Sequence, residues 1–509
     1  MMFRNKKLTY ILSIGLTLII AYVSIHFYAK HRLEKILREQ VPQLHYKSLS
    51  LNMASGNLAL DQITLKEISN INEASAQSLE IHNIQYLTFL LKKKLHITSI
   101  AIHQPKVVSQ LVDSTKTSKK IKLPKGITEI NIENFSIADG QLKTHQSKKD
   151  SVLFSIENAN VSLEHIQVNN STLQERIPLH LSSYQLSGSH LLYAMGLENL
   201  KITSFRIQPE KTLIKELSLQ TKYSQKNLST HIYRERDHID LSIPAISINT
   251  PTLTYVDSTV SFACHNVSLK KPKLIMYRDK LVADDLTFKP MYSEMIRTLP
   301  FSLHIPELAI EDGFLSYSEL VKEDTKPGEL VFSHLNAAIT NISNTTENTE
   351  NTFVKAQAKL MDNASITLDW SFNVSKEDND FIASGTVYHF NSPSLNSYLK
   401  SNLGVQAEGA IEELYFTISG NPINAAGDMK MKYRDFRFEV LKKDRLGVNK
   451  FLTAIGNLFT NDGSKTDDDG YRYGTIKAER DPSKSFFNYL WLNVQDGMLS
   501  TMTGNGKKK

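Results

Sequence analysis

One apolar spacing recurs along this 509-residue chain and restricts its fold more than any other feature. In each copy an apolar residue is followed three positions later by a second, and two positions after that by a third. The spacing fits no helical stripe, and it predicts a β-strand entered through a bend, after which alternate side chains face one way. The copies are Ile97, Ile100 and Ile102; Ile127, Ile130 and Ile132; Ile202, Phe205 and Ile207; Ile243, Ile246 and Ile248; and Ile305, Leu308 and Ile310.

The copies are regularly placed along the chain. Those that begin at Ile97, Ile202 and Ile305 lie 105 and 103 residues apart, and each follows a mixed apolar run that we expect to include a short helix. Chance matches in an isoleucine-rich β protein are the alternative, but a second phrase, Phe followed four residues later by Asn, trails three of the copies. We therefore predict an array of repeated units that bury their apolar faces against one another. The second phrase occurs at Phe154 and Asn158, Phe262 and Asn266, and Phe332 and Asn336.

An uncharged apolar segment, Leu8 to Ala29, lies near the N-terminus. As a helix it would be about 33 Å long, which is enough to cross a hydrocarbon core of about 30 Å. It is long for the apolar part of a signal peptide, and no small-residue cleavage pattern follows it. The sequence therefore predicts an uncleaved membrane anchor at residues 8–29. Basic residues flank both ends, so charge does not decide the orientation, and a short N-terminal tail ahead of a large translocated body is the simplest arrangement.

After a continuing helix at 30–41, the apolar pattern changes to a period of two. A hairpin is expected at 49–68 around Gly56, and strands of five to ten residues follow it. The predicted fold is mainly β and elongated, with a few short helices. Its predicted parts are a tail and anchor (1–29), a repeat-containing β region (30–345) and a C-terminal β region with capping helices (346–509). Helices in that last region are expected at 392–404, 448–459 and 483–498.

Composition and motifs argue against several classes of function. The net charge of +6 is spread along the chain without a basic, aromatic stripe, so nucleic acid is not an expected partner. Cys264 is the only cysteine, and no HExxH motif, phosphate loop or GxSxG elbow occurs. The acidic run Asp467 to Asp469 lacks the ligand spacing of a calcium loop. We therefore expect no catalytic residue, no cofactor and no metal site, and predict that the protein is not an enzyme.

Three stretches, together with the anchor, resemble the AsmA-like, TamB-related family, which belongs with the chorein-type bridge-like lipid-transfer proteins. The stretches are GNLALDQITL (56–65), YLTFLLKKKLHITSIAIHQPKV (86–107) and residues 385–441. The resemblance implies a curved antiparallel β-sheet trough, or repeating β-groove, with an apolar concave face. It also implies a single-pass protein of the bacterial inner membrane whose bulk lies in the periplasm. Members of the family are associated with phospholipid transport between membranes and with outer-membrane biogenesis.

An apolar lane with polar rims suits acyl chains, because each buried CH₂ contributes about 0.8 kcal/mol. We therefore predict a protein that binds or conducts phospholipid, with membrane lipids as partners and residues 8–29 in the inner membrane. A self-filled sheet core is the alternative to a lipid groove. A structural or assembly factor for outer-membrane proteins or lipopolysaccharide, with envelope assembly proteins as partners, is the alternative function. The groove candidates are Ile100, Ile102, Ile130, Ile132, Phe205, Ile207, Ile246, Ile248, Leu308 and Ile310.

Aromatic residues cluster in the last expected helix, namely Phe486, Phe487, Tyr489 and Trp491. Such a cluster docks on a membrane or a partner in some proteins. We favour the alternative that it caps the open end of the β-sheet.

Overall fold

A computed structural model describes residues 4–68, 71–111, 122–146, 149–256, 259–345, 347–441 and 466–503. The fold is mainly β and repeated, as predicted. The helix expected at 448–459 and the C-terminal GKKK tail lie outside the described residues. The helices are α1 (Arg4–Gln40), α2 (Tyr86–Lys92), α3 (Gln225–Leu228), α4 (Tyr292–Arg297), α5 (Asn396–Tyr398) and α6 (Phe486–Thr503).

The chain forms two compact units. The first comprises Met1–Met195 and Ile202–Pro209, and the second comprises Gly196–Lys201 and Glu210–Lys509. The boundary predicted between residues 345 and 346 lies inside the second unit and stays a prediction.

The strands alternate with short turns in both units. The first are β1 (Leu44–His45), β2 (Ser48–Asn52), β3 (Asn57–Ile68), β4 (Ile71–Ile84), β5 (Lys94–His103), β6 (Lys106–Gln110), β7 (Glu129–Gln146), β8 (Lys149–Asn169), β9 (Ser183–Met195) and β10 (Glu198–Ile207). The middle strands are β11 (Lys211–Thr221), β12 (Asp237–Asn249), β13 (Thr252–Val256), β14 (Thr259–Ala263), β15 (Asn266–Lys270), β16 (Lys273–Asp279), β17 (Ser302–Leu320) and β18 (Gly328–Ser343). The last are β19 (Asn351–Leu360), β20 (Ala364–Asn373), β21 (Phe381–Asn391), β22 (Val405–Gly420), β23 (Asn424–Val440) and β24 (Arg472–Glu479).

Helix α1 contains the whole segment predicted as the anchor, although the side chains before Leu16 lie outside the described part. Among the helices of the described residues, none combines the length and the apolarity that a membrane crossing requires. The anchor at residues 8–29 stays a prediction.

The predicted hairpin is confirmed, since β2 and β3 pair in antiparallel register. Its turn contains Gly56, whose φ is +69°. A Cβ atom at this position would lie 2.6 Å from the carbonyl oxygen of Ile84, so both the backbone conformation and the space favour glycine.

The antiparallel sheet that the family resemblance implies is confirmed for most of the described strand pairs and is wrong for five of them. In the first unit, β5 and β6 run along β7 in parallel register, and in the second unit β14, β15 and β16 run parallel to β17. Parallel neighbours need a long crossover connection. In the second unit, residues 280–301 supply this crossover and include α4. In the first unit, β6 ends at Gln110 and β7 begins at Glu129. The other strand pairs whose register is described are antiparallel.

The recurring spacing marks an interruption of the β ladder within a strand. Between Ile97 and Ile100, for example, Thr98 has no bridge partner in the described pairing, and Asn83 on the neighbouring strand has a φ of +55°. A left-handed residue at this point bends the strand, which agrees with the predicted bend. The interruption recurs at Pro244 and Pro306, within two further copies, and the facing residues with positive φ are Glu216 and Asn341. In β7 it lies at Glu133, opposite His165, and Glu133 is one residue after the copy predicted at Ile127, Ile130 and Ile132.

One of the expected short helices is absent from the residues described at 190–200. This run instead ends β9, turns at Gly196, where φ is +58°, and begins β10. Glycine at a turn and apolar residues on either side favour two strands over a helix. The runs at 86–95 and 291–303 do contain helices, α2 and α4.

The main core lies at the C-terminal end of the second unit. Apolar side chains of β20 to β24 pack there against α4 and α6. The first unit differs, because the large apolar side chains buried among its described residues are few: Leu49, Leu60, Ile97, Ile166 and Ile202.

Candidate functional site

Two neighbouring rows of side chains in the first unit form what we call the first apolar face. Strand register aligns the members of each row across β3, β4, β5, β7, β8 and β9. One row consists of Leu58, Ile81, Ile100, Phe135, Leu163 and Tyr184, and the other of Leu60, Leu79, Ile102, Ile137, Val161 and Leu186.

The opposite side of the same strands is mostly polar. The row between the two apolar rows contains Ala59, Glu80, Ala101, Ser136, Ser162 and Gln185. Because successive side chains of a strand point to opposite faces, this row projects away from the first apolar face. Leu60 is the buried member of the apolar face, and its other members are partly exposed. Contiguous apolar surface that remains partly exposed is typical of interaction or ligand-binding sites.

Charged side chains form pairs between β5 and β7 where these two strands begin. Lys94 Nζ donates to a Glu129 carboxylate oxygen at 2.8 Å, and a ring nitrogen of His96 lies 2.8 Å from a Glu133 oxygen. Hydrogen bonds from Lys94 and Asn131 hold the pKa of Glu129 below its usual value. The edge of the first unit is therefore polar and charged next to an apolar face.

The second unit contains a corresponding second apolar face on β11, β12, β15, β17 and β18. Its rows are Ile214, Ile246, Leu269, Ile310 and Ala337, and Thr212, Ile248, Val267, Leu308 and Ile339. Ile243, Ile246, Cys264 and Val267 form a small buried cluster on this side. Burial raises the pKa of the Cys264 thiol, so the neutral form is favoured there.

The second apolar face continues along the sheet until a helix covers it. Register links Ile339 through Val354, Trp370, Ala383, Ile418 and Gly427 to Ile476 in β24. Helix α6 packs on β23 and β24, where these rows end. The face is thus partly exposed at β17 and β18 and covered at β23 and β24.

Two aromatic residues of α6, Phe486 and Tyr489, contribute to this cover, which confirms the predicted cap for these two. The ring of Phe486 stacks on Trp370 at 4.5 Å and meets the edge of Phe381 at 5.0 Å. Tyr489 is buried in the same core, and this burial raises its pKa to about 12. Phe487 remains exposed.

A small apolar cavity of about 100 Å³ lies under α6 in the second unit. Sequence reasoning did not identify it, because its walls come from strands and a helix far apart in the chain. Its surface is almost entirely apolar, although Ser392 and Gln495 are among the lining residues. That lining includes Phe390, Ile411, Leu414, Phe436, Phe438, Trp491, Val494 and Met498.

The structure places six of the ten predicted groove residues on the two faces. Ile100 and Ile102 lie on the first apolar face, and Ile246, Ile248, Leu308 and Ile310 lie on the second. Ile246 is buried, and the other five are partly exposed.

The other four candidates lie beside these faces. Ile132 is aligned with Ile97, and Ile130 with Leu95. Phe205 and Ile207 are in β10, where the ring of Phe205 packs over Gly188.

Sequence reasoning missed Phe135 and Ile137, which are the partners of Ile100 and Ile102 on β7. The signal was present, because Ile132, Phe135 and Ile137 repeat the recurring spacing five residues after the copy that was chosen. Only the parallel register of β5 and β7 distinguishes the two choices.

Among the described residues, no group of three or more His, Cys, Asp or Glu side chains is arranged to hold a metal ion. Comparison of the chain with models of known protein families and with curated proteins gave no match.

Proposed function

We propose that this protein is a membrane-anchored carrier or conduit for phospholipid, which binds acyl chains on its apolar β faces and keeps headgroups at the polar rims. In this proposal it belongs with the AsmA-like proteins of the bacterial inner membrane and projects into the periplasm. No chemical step is included, so no catalytic residue is assigned.

The observation that supports this most strongly is the partial exposure of the first apolar face. A sheet side made of leucine, isoleucine, valine and aromatic residues is normally buried in a core. Of the residues named on this face, Leu60 alone is buried, and the others are partly exposed. The α-helices described in the first unit, α1 and α2, lie before β1 and between β4 and β5. Acyl chains bound to this face would remove it from water, and the free energy gained is about 25 cal/mol for each Å² of apolar surface buried.

The second apolar face supports the same proposal independently. It has matching rows, and it passes from partly exposed strands to strands covered by α6. A lane of this kind accepts flexible hydrocarbon along its open part and is closed at one end by the chain's own side chains. The mostly apolar side chains of this face also predict weak selectivity among acyl chains, because burial of hydrocarbon is not directional.

The anchor rests on α1 and on the sequence. Large apolar side chains from Leu16 to Tyr28 are exposed on this helix, and the segment from Leu8 to Ala29 carries no formal charge. Exposed apolar side chains around a helix are favourable in hydrocarbon and unfavourable in water.

The first prediction tests lipid contact directly. A photoreactive benzophenone side chain at Phe135, on the first apolar face, is expected to cross-link to phospholipid in the full-length protein extracted with native membranes. The same group at Ser162, in the polar row, is expected to give little lipid adduct. Mass spectrometry of the adducts identifies the lipid.

A pair of substitutions tests the same contact by measuring the loss of co-purified phospholipid. Ile100→Asp is expected to remove most co-purified phospholipid, whereas Ser162→Asp retains it, with circular dichroism confirming that both variants fold. Protein that carries no lipid, together with equal cross-linking at the two positions, would contradict the proposal and favour a self-filled sheet.

A further inference from the structure

Helix α2 carries large apolar side chains that the protein leaves uncovered. All of its residues are described, and none is buried. Leu87, Leu90 and Leu91 are 75%, 72% and 81% exposed. Helix α4, of similar length, behaves differently: Met291 at its N-cap is buried, and Tyr292 and Ile296 pack on the main core. Exposure is therefore a property of α2 and not of short helices in this fold.

The sheet holds α2 in a defined place. The Gln85 N–H, just before the helix, donates to the His96 carbonyl at 2.9 Å. After the helix, the carbonyl of Lys93 accepts from the Thr128 N–H at 2.9 Å. Lys93 ends the helix in the left-handed region, with a φ of +56°. Because both ends are bonded to β5 and to the residues before β7, the apolar side chains project from a fixed position on the first unit.

Positive charge adjoins this apolar surface. Lys92 and Lys93 are exposed directly after Leu91, whereas Lys94 is paired with Glu129. Leucines beside lysines match the interfacial zone of an anionic bilayer, where apolar side chains enter the acyl region and ammonium groups stay among the headgroups. Protein–protein interfaces are depleted in lysine, so the lysines here favour a bilayer over a protein partner.

The position of α2 in the first unit fits a bilayer as well. Strand β1, which follows α1, pairs with β3; β3 pairs with β4, and α2 joins β4 to β5. Helix α2 is therefore two strands across the sheet from β1. Along the strands the two lie about 30 Å apart, because β1 pairs at Leu65 whereas the Ile84 N–H, just before α2, donates to the Gly56 carbonyl. A flat bilayer surface is broad enough to meet both.

We propose that α2 is a second membrane-contact element, in which Leu87, Leu90 and Leu91 insert into the surface of an anionic bilayer and Lys92 and Lys93 bind its headgroups. The inference rests on the membrane anchor of the proposed function but not on lipid binding by the apolar faces. It would orient the first unit against the membrane surface instead of leaving it to swing on α1.

The test uses the full-length chain reconstituted in single-copy nanodiscs. Leu90 is replaced by cysteine in a Cys264→Ala background and labelled with an environment-sensitive fluorophore, and lipids brominated along their acyl chains serve as the quencher. Matched labels are placed at Ile20 in α1 and at Tyr233, which is 97% exposed. Discs of phosphatidylcholine are compared with discs that also contain phosphatidylglycerol.

We expect strong quenching at Leu90 and Ile20, and none at Tyr233, in discs with phosphatidylglycerol. Removing that lipid, or substituting Lys92→Gln and Lys93→Gln, should reduce quenching at Leu90 several-fold and leave Ile20 unchanged. Quenching at Ile20 without quenching at Leu90 overturns the inference and leaves the anchor intact. Loss of quenching at both labels overturns the anchor itself.

Two further outcomes also overturn the inference. A blue-shifted but unquenched label at Leu90 means that protein, and not lipid, covers the helix. Quenching at Leu90 that is indifferent to anionic lipid and to the two lysines excludes the proposed headgroup contact.

Discussion

Individual residues set the bends that repeat along the sheet. The Asp139 N–H donates to Asn160 Oδ1 at 3.1 Å, and in the second unit the Asp312 N–H donates to Asn336 Oδ1 at 3.0 Å. Both aspartates have positive φ and precede a glycine, in the matching segments IADGQL and IEDGFL. The two units therefore share the same hydrogen bond as well as the same spacing. In each, an asparagine side chain accepts from a backbone N–H that lacks its partner in the β ladder.

A prediction at this scale concerns Gly56. In Gly56→Ala, the alanine must adopt a left-handed conformation and its Cβ must lie against the Ile84 backbone. We therefore expect the free energy of unfolding of the first unit to fall by about 2–4 kcal/mol. Gly404→Ala is the control, since its φ is similar, at +67°, and nothing lies within 4 Å of the added Cβ. It should cost about 1 kcal/mol. Equal losses in denaturant titrations would show that space at Gly56 is unimportant.

Helices α2 and α6 differ in whether they cover an apolar side of the sheet. Helix α6 covers the end of the second apolar face with Phe486 and Tyr489. Helix α2 has no buried residue and exposes its own leucines. Both carry several large apolar side chains, so apolar content in the sequence did not distinguish the covering helix from the exposed one.

Adjacent phenylalanines at the start of α6 test its role as a cap. Phe486 is 3% exposed and Phe487 is 54% exposed. Phe486→Ala should destabilise the second unit by about 3–5 kcal/mol, because it leaves a cavity beside Trp370, whereas Phe487→Ala should cost under about 1 kcal/mol. Thermal or denaturant unfolding of the two variants compares them directly. Similar losses would mean that the core tolerates removal of the Phe486 ring.

The two units differ in how they are stabilised. The second has a buried apolar core under α4 and α6, whereas the first has few buried apolar side chains among its described residues. Local stability follows buried apolar contact, so a lipid-free first unit should open more readily than the C-terminal strands.

Hydrogen exchange measures this difference. In delipidated protein, the amides of β4, β5, β7 and β8 should exchange faster than those of β20 to β23, and addition of phospholipid should slow exchange in the first group alone. The expected sign follows from linkage, because a ligand that binds the folded state stabilises it. Protection that is equal in both groups and insensitive to lipid would contradict a lipid-covered face.

Much of the fold was predictable from local pattern. Period-two alternation predicted the strands, Gly56 the first hairpin, and the three-then-two spacing the bends, because each depends on residues close together in the chain. The parallel register of β5 with β7 was not predictable, since it depends on a crossover whose direction no local pattern encodes. For the same reason the sequence missed Phe135 and Ile137 while finding Ile100 and Ile102.

The amino-acid sequence by itself determined a repeated β protein with an apolar side, because alternation is a property of neighbouring residues. Only the tertiary structure decided which apolar residues share a face, which of them α6 covers, and that α2 stays exposed. Burial is set by contacts between segments far apart in the chain, and those contacts decide whether an apolar side chain belongs to a core or is left for another molecule to cover.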